Sequence, residues 1–87
     1  MIKPKLHRLF TECVNEQGVL DLCHQYFQGF TVTHAQGYWM GQPESSLIVE
    51  TVTDKTSLFY ELAAKIKSLN HQESVLVEVL PIRFDFT

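Results

Sequence analysis

The order of its apolar repeats is the feature of this sequence that most restricts its fold. Four segments place apolar residues at every second position, as strands do, and two segments place them at intervals of three and four, as helices do. The strand-like segments are residues 5–14, 30–40, 47–52 and 74–80, and the helical segments are residues 16–27 and 55–69. The predicted order is therefore β-α-β-β-α-β, followed by a β-like segment at 82–86.

Capping residues support the two helical segments. Asn15 and Asp54 stand directly before them and are residue types that cap helix N-termini. Gly29 follows the first segment as a stop, and Asn70 with His71 ends the second. We therefore expect two separate amphipathic helices.

This order is that of a ferredoxin-like α+β sandwich, in which two helices cover one face of a four-stranded antiparallel sheet. The 87 residues contain no linker, repeat or low-complexity stretch, which predicts a single domain, 1–87, with a short C-terminal β extension. Aliphatic residues lie on both faces of strands 47–52 and 74–80, and a second apolar face is uncommon on a soluble monomer. We therefore expect self-association through the sheet, and by analogy with related folds we expect a homotrimer.

Composition restricts the partners. The formal net charge is −3, so the chain offers no overall positive field for a phosphate backbone, and nucleic acid is not expected as a partner. The sequence has no signal-peptide pattern and no apolar run of membrane-spanning length, which predicts a cytoplasmic protein without a membrane partner.

The cysteines and histidines are the residue types that could ligate a metal. Cys13 and Cys23 lie inside predicted elements, so we expect reduced thiols and no disulfide. None of these cysteines and histidines forms a closely spaced ligand pair in the sequence, so we expect no metal site and no cofactor. The histidines are His7, His24, His34 and His71.

The segment GYWMGQPESSLIVE, residues 37–50, is the candidate site. Gly41 and Pro43 are predicted to form the turn of a hairpin, which brings Tyr38, Trp39 and Glu44 to one end of the sheet. A carboxylate there can bind an ammonium group, and aromatic rings can stack on a planar or cationic ligand. The alternative is that Trp39 belongs to the core and Glu44 is a solvated turn residue.

A family resemblance rests on this segment and on the residues C-terminal to it. GYW, then Glu44 followed by SSLIV, a helix, and Gln72 before SVLV resembles the corresponding part of phage S-adenosylmethionine lyases, over residues 31–78. The resemblance implies a trimer of ferredoxin-like, PII-like subunits that cleaves S-adenosylmethionine into methylthioadenosine and homoserine lactone at a site between subunits. It implies Tyr38 and Glu44 as catalytic residues and Gln72 as a substrate-binding residue. Trp39 is expected to bind the substrate as an apolar wall of the same site.

The lyase reaction makes few demands on a protein. The substrate's own carboxylate attacks its γ-carbon and the sulfonium leaves as a neutral thioether, so neither a metal nor an external nucleophile is required. Holding the methionine part in attack geometry contributes up to about 7–11 kcal/mol in favourable intramolecular cases. An adenylylated conjugate of S-adenosylmethionine would suit the same chemistry.

Other resemblances leave the function open. The turn between Tyr38 and Glu44 is shorter than in the lyases. The same segment is similar to PII-like copper-tolerance proteins, and the pattern GFTV…A.G.W…E.S is similar to that of an uncharacterised bacterial family. The resemblance to the uncharacterised family implies no activity. The alternative function is a non-enzymatic, trimeric PII-like module that binds a nucleotide or a metal for signalling. A structural or inhibitory protein that engages another protein is a third class.

Overall fold

A computed structural model describes residues 3–87 and contains two helices and four strands. All strand pairs are antiparallel, and the order across the sheet is β2-β3-β1-β4. The predicted α+β ferredoxin-like fold is therefore confirmed. The elements are β1 (Lys5–Glu12), α1 (Glu16–Tyr26), β2 (Thr31–Trp39), β3 (Gln42–Thr53), α2 (Thr56–Leu69) and β4 (Leu76–Leu80). The predicted single domain, 1–87, also includes residues 1 and 2, which lie outside the described part.

Both helices pack on one face of the sheet and form the core with it. The buried positions of α2 are Phe59, Leu62, Ala63 and Ile66, a spacing of three and four that gives a single apolar stripe. The other buried apolar residues are Val19 and Cys23 of α1 and Leu9, Leu47 and Val49 of the sheet.

Helix capping follows the sequence only in part. Asn15 caps α1, because its Oδ1 accepts a hydrogen bond from the Gly18 amide at 3.2 Å. The prediction that Asp54 caps α2 is wrong: Lys55 is the N-cap residue and makes no side-chain cap bond. The hydroxyl of Thr53 instead accepts from the Lys55 amide at 3.1 Å, so the turn before α2 has its own side-chain hydrogen bond.

α2 ends at Asn70 and His71, as predicted. The Gln72 amide donates to the carbonyl of Lys67 and the His71 amide donates to that of Ser68, which is the Schellman arrangement. His71 takes the left-handed position, with φ of 54°, where glycine is usual. α1 ends earlier than predicted, with Phe27 in extended conformation as its C-cap, so the helix is already closed before Gly29.

The β2–β3 hairpin projects beyond the rest of the sheet. Its turn is Met40–Gly41, with φ of 50° and 79°, the left-handed pair of a two-residue type I′ turn. β1 pairs with β3 only as far as Ser46, opposite Glu12. Residues 36–45 therefore form a largely two-stranded segment, which we call the hairpin arm.

The hairpin arm corrects the predicted turn. Of the two predicted turn residues, Gly41 and Pro43, only Gly41 lies in the turn. Pro43 is a strand residue of β3 opposite Tyr38. Proline is tolerated there because β3 has a partner on one side only at this position, so no bond to β1 is lost. β3 is therefore longer than predicted, and Glu44 lies in a strand.

The C-terminal segment also differs from the prediction. The sequence predicts a β-like segment at 82–86, but residues 81–87 form no strand. Leu80 is the last residue of β4 paired with β1, and Pro81 lacks the N–H needed to continue the ladder.

The sheet face away from the helices is partly apolar. Leu6, Phe10 and Ile48 are half-buried there, and Val52 and Leu76 are exposed. An ion pair crosses its centre, with Arg8 Nη2 3.0 Å from Glu78 Oε1. Within residues 3–87, no helix covers this face.

Candidate functional site

An open groove lies between the hairpin arm and the segment that follows α2. Its volume is about 710 Å³, and we call it the arm groove. Its floor includes Phe10 and Ser46 on the outer face of the sheet. All four predicted site residues, Tyr38, Trp39, Glu44 and Gln72, line it. The pairing of β3 with both β1 and β2, and the turn of the chain at the C-terminal end of α2, therefore bring together residues that are up to 34 positions apart in sequence.

Trp39 and Glu44 share the outer face of the sheet. Gly37 lies opposite Glu44, and Trp39 is two residues further along the same strand, so side-chain alternation places both on one side. In the part of the chain that the structure describes, and apart from the chain neighbours of Gly37, nothing lies within 4 Å of the position that a Cβ of Gly37 would occupy, so this face of the arm is open at Gly37. Trp39 is 67% exposed, so the alternative in which it belongs to the core is wrong.

Tyr38 lies on the opposite face of the arm from Glu44. It pairs with Pro43, one register position away from the Gly37–Glu44 pair. Its ring is 71% exposed at the rim of the groove. Tyr38 and Glu44 therefore border the same groove from different faces of the arm.

Gln72 is held by the protein. Its Oε1 accepts from the hydroxyl of Thr11, from Asn70 Nδ2 at 3.2 Å and from the Glu12 amide at 3.4 Å. Its Nε2 donates to the carbonyl of Ser74 at 3.3 Å. These bonds tie the segment after α2 to the end of β1, so Gln72 fixes one wall of the groove.

The groove is acidic. Three glutamates, Glu12, Glu44 and Glu73, line it, and among its lining residues His71 is the one basic side chain. Carboxylates without nearby cationic partners attract positively charged ligand groups and repel phosphates. The groove therefore favours a ligand with positive charge.

A second cluster of polar side chains lies outside the groove and was not predicted from the sequence. Glu16 Oε1 lies 2.7 Å from His34 Nε2, and Cys13 Sγ lies 3.6 Å from the same oxygen. The hydrogen bond from His34 lowers the pKa of Glu16, whereas desolvation, the hydrogen bond to Glu16 and its charge raise the pKa of Cys13. The only sequence signal is the Cys13–Glu16 spacing of three, because His34 comes from another strand.

Two of the candidate metal-ligating residues have structural roles. His7 is fully buried: its Nδ1 lies 3.0 Å from the Lys5 carbonyl and its Nε2 lies 2.8 Å from the Thr56 hydroxyl. Because a carbonyl only accepts, Nδ1 donates to the Lys5 carbonyl, and the Thr56 hydroxyl occupies the other ring nitrogen. Cys23 is also buried, and desolvation raises the pKa of its thiol to about 11. Both cysteines are free thiols, as predicted.

Comparison with known proteins identifies the fold. No protein-family model and no curated protein matches the sequence. The structure is similar to a DUF3240 family protein from Shewanella baltica OS155, with a TM-score of 0.71, 12% identity and coverage of 100% of this chain and 98% of that one. It is also similar to CPII, a nitrogen regulatory PII-like protein from Thiomonas intermedia K12 bound to ADP, AMP and bicarbonate.

The likeness to CPII has a TM-score of 0.68 at 15% identity and covers 97% of this chain and 94% of that one. A PII-like signalling protein from Thermus thermophilus gives 0.58 at 20% identity, over 90% and 84% of the two chains. The protein therefore shares its ferredoxin-like fold with these PII-like proteins. In residues 3–87, no helix is long and apolar enough to cross a membrane.

Proposed function

We propose that this protein is a small-ligand-binding module of the PII-like type, and that the arm groove binds an adenosine-containing ligand that carries positive charge. The observation that carries the proposal is the placement of Trp39 and Glu44 on one face of the arm, where Gly37, the cross-strand partner of Glu44, leaves the face open. The groove volume of about 710 Å³ lies within the usual range for small-molecule sites, about 300–1,000 Å³.

The side chains suggest how such a ligand binds. The exposed indole of Trp39 offers a stacking surface for an adenine ring or a sulfonium group, and the Glu44 carboxylate can accept from an ammonium group. Binding of ADP and AMP by CPII supports an adenosine-type ligand on this fold. The three glutamates of this groove disfavour phosphates, so S-adenosylmethionine should bind more tightly than AMP or ADP.

The binding proposal is tested by calorimetric titration of the protein with S-adenosylmethionine, AMP and ADP. We expect Trp39→Ala and Glu44→Gln each to weaken S-adenosylmethionine binding about tenfold, since a desolvated cation–aromatic contact or a charged hydrogen bond is worth roughly 1.5–2 kcal/mol. Asp54→Asn, which removes an exposed carboxylate outside the groove, is the matched control. Equal weakening by Asp54→Asn, or tighter binding of ADP, contradicts the proposed ligand class.

Assembly as a homotrimer through the uncovered sheet face is part of the proposal. Val52 is 43% exposed on that face and lies outside the groove. We expect Val52→Asp to convert the trimer to monomers in sedimentation velocity. Tyr60→Asp, at a 52% exposed residue of α2, should leave the assembly intact. A wild-type protein that sediments as a monomer contradicts the trimer.

S-adenosylmethionine lyase activity is the second candidate, because the groove combines a carboxylate and an aromatic ring, which is what clamping this substrate requires. Mass spectrometry of S-adenosylmethionine incubated with the protein should then show methylthioadenosine and homoserine lactone above a heat-denatured control. Glu44→Gln should abolish turnover, and Tyr38→Phe should reduce it less, because Tyr38 lies on the other face of the arm. Binding without products assigns the groove to the non-enzymatic module.

A further inference from the structure

The cluster of Cys13, Glu16 and His34, which we call the Cys13 cluster, is separate from the arm groove, and none of its residues lines that groove. One potential ligand atom from each residue lies within 4.8 Å of the other two. The three residues come from the bend directly after β1, the first turn of α1 and the middle of β2. Its existence does not depend on the proposed function of the groove.

The distances suit a tetrahedral metal ion. Zinc bonds of about 2.3 Å to sulfur and about 2.0–2.2 Å to nitrogen and oxygen imply donor separations of roughly 3.4–3.6 Å at tetrahedral angles. The Cys13 Sγ to Glu16 Oε1 distance is 3.6 Å, and the His34 Nε2 to Glu16 Oε1 distance is 2.7 Å. Coordination therefore requires the His34–Glu16 hydrogen bond to open by less than about 1 Å, while Cys13 Sγ and the His34 ring nitrogen, which lie within 4.8 Å of each other, adjust to a common ion.

Backbone structure holds the three residues near these positions. The Cys13 amide donates to the carbonyl of Ser45 at 3.1 Å, which anchors Cys13 beside β3. Glu16 directly follows the N-cap Asn15, and His34 pairs with the buried Leu47 in the sheet. Three ligands on three anchored elements lose little conformational freedom when they bind a common ion.

The cluster is open to solvent on one side. The side chain of His34 is 66% exposed and that of Glu16 is 41% exposed, whereas Cys13 is half-buried. An ion can therefore enter from solvent and keep a water or another small ligand in a fourth position, as three-ligand zinc sites do. As an isolated surface ion pair, His34–Glu16 would contribute little to stability.

We propose that Cys13, Glu16 and His34 bind a zinc-class divalent transition-metal ion. A thiolate and an imidazole select borderline and soft ions, and a single carboxylate is too few oxygen ligands for Ca²⁺ or Mg²⁺. The site is distinct from the groove in position and in chemistry.

The test uses the reduced full-length protein with Zn²⁺ in calorimetry and Co²⁺ in absorption spectroscopy. We expect one Zn²⁺ per chain and a sulfur-to-cobalt charge-transfer absorption. Cys13→Ser should abolish that absorption, and His34→Gln should weaken Zn²⁺ binding at least about tenfold. His24→Gln, at another exposed histidine, is the matched control and should bind Zn²⁺ as the wild type does.

Three results would overturn this site. One is the absence of thiolate–cobalt absorption in the wild type, and another is its persistence in Cys13→Ser, which would assign the metal to Cys23. The third is equal weakening by His24→Gln and His34→Gln. Because His34 is exposed, His34→Gln should fold, and circular dichroism verifies this. If Cys13→Ser does not fold, His34→Gln still tests the site. S-adenosylmethionine binding by these variants should be unchanged, which separates this site from the groove.

Discussion

Replacing Gln72 with leucine tests whether this side chain is a structural tie or a ligand-binding group. The resemblance to lyases implies substrate binding, whereas the structure shows the amide oxygen accepting from three protein donors. Leucine keeps a similar volume and removes every one of these bonds. We expect Gln72→Leu to lower stability, with any loss of ligand affinity arising because the groove wall moves.

The size of the loss follows from the burial of each donor. Thr11 is 2% exposed, so in the variant a water molecule cannot replace Gln72 as the acceptor for its hydroxyl. The Glu12 amide is in an exposed position, and Asn70 Nδ2 keeps bonds to the Thr11 hydroxyl at 3.0 Å and the Glu12 carbonyl at 3.4 Å. Only one buried donor therefore loses its partner, which costs about 1–3 kcal/mol. A loss of ~1.5 kcal/mol lowers the melting temperature of a domain of this size by roughly 6–12 °C.

A double-mutant cycle measured by thermal and urea unfolding provides the assay. Thr11→Val together with Gln72→Leu removes both the buried hydroxyl and its partner but leaves Asn70 Nδ2 with only the Glu12 carbonyl at 3.4 Å, so the double variant should lose less stability than the sum of the two single losses. Gln25→Leu, at an exposed glutamine of α1, is the control and should change stability by less than about 0.5 kcal/mol. Strictly additive losses, or an unchanged melting temperature with weaker ligand binding, would refute the structural role.

Three further predictions concern the helix contact, the buried thiol and the arm. Gly18→Ala should change the free energy of unfolding by less than about 1 kcal/mol in urea titrations, because the gain in helix propensity is offset by displacing the ends of two side chains: the new Cβ would lie 2.9 Å from Leu69 Cδ2 and 2.8 Å from Asn15 Nδ2. Burial raises the pKa of Cys23 from 9.0 to about 11. Between these two pH values the folded state keeps the thiol proton while the unfolded state loses it. The free energy of unfolding should therefore fall by roughly 2–3 kcal/mol as the pH rises from 9.0 to about 11. Cys23→Ala should show a shallower decline over the same pH range, and an identical decline would contradict this assignment. Trp39→Ala should leave the melting temperature within about 3 °C of the wild type, because the ring is 67% exposed, and a larger drop would mean that the ring supports the fold.

Hydrophobic periodicity was sufficient to predict the fold because each element buries one face. The stripe Phe59, Leu62 and Ile66 is buried as expected, and the alternation of Leu47 and Val49 specifies the sheet face. Element ends were less predictable, because they depend on partners distant in sequence. β1 stops where β3 leaves it at Ser46, and β3 extends through Pro43 because only β2 pairs with it there.

The candidate site was predictable in part. The hairpin signal brought Trp39 and Glu44 together, since a two-residue turn places them on one face. The hydrogen bonds that occupy Gln72 depend on Thr11, which is 61 positions away, and no local pattern reports such a contact. The Cys13 cluster was missed for the same reason, because His34 reaches Glu16 only through the packing of β2 beside α1.

The hairpin arm is largely two-stranded, so its β2–β3 hydrogen bonds can open while the core of the protein stays folded. Two-stranded hairpins are marginal by themselves, so amides of residues 36–45 should exchange with deuterium through local opening, whereas those of Leu47 and Val49 should require global unfolding. A molecule that contacts both Trp39 of β2 and Glu44 of β3 bridges the two strands of the arm and should slow that exchange. The deuterium exchange rate of the arm amides can therefore be used to screen a metabolite library for binding, and this screen assumes no reaction.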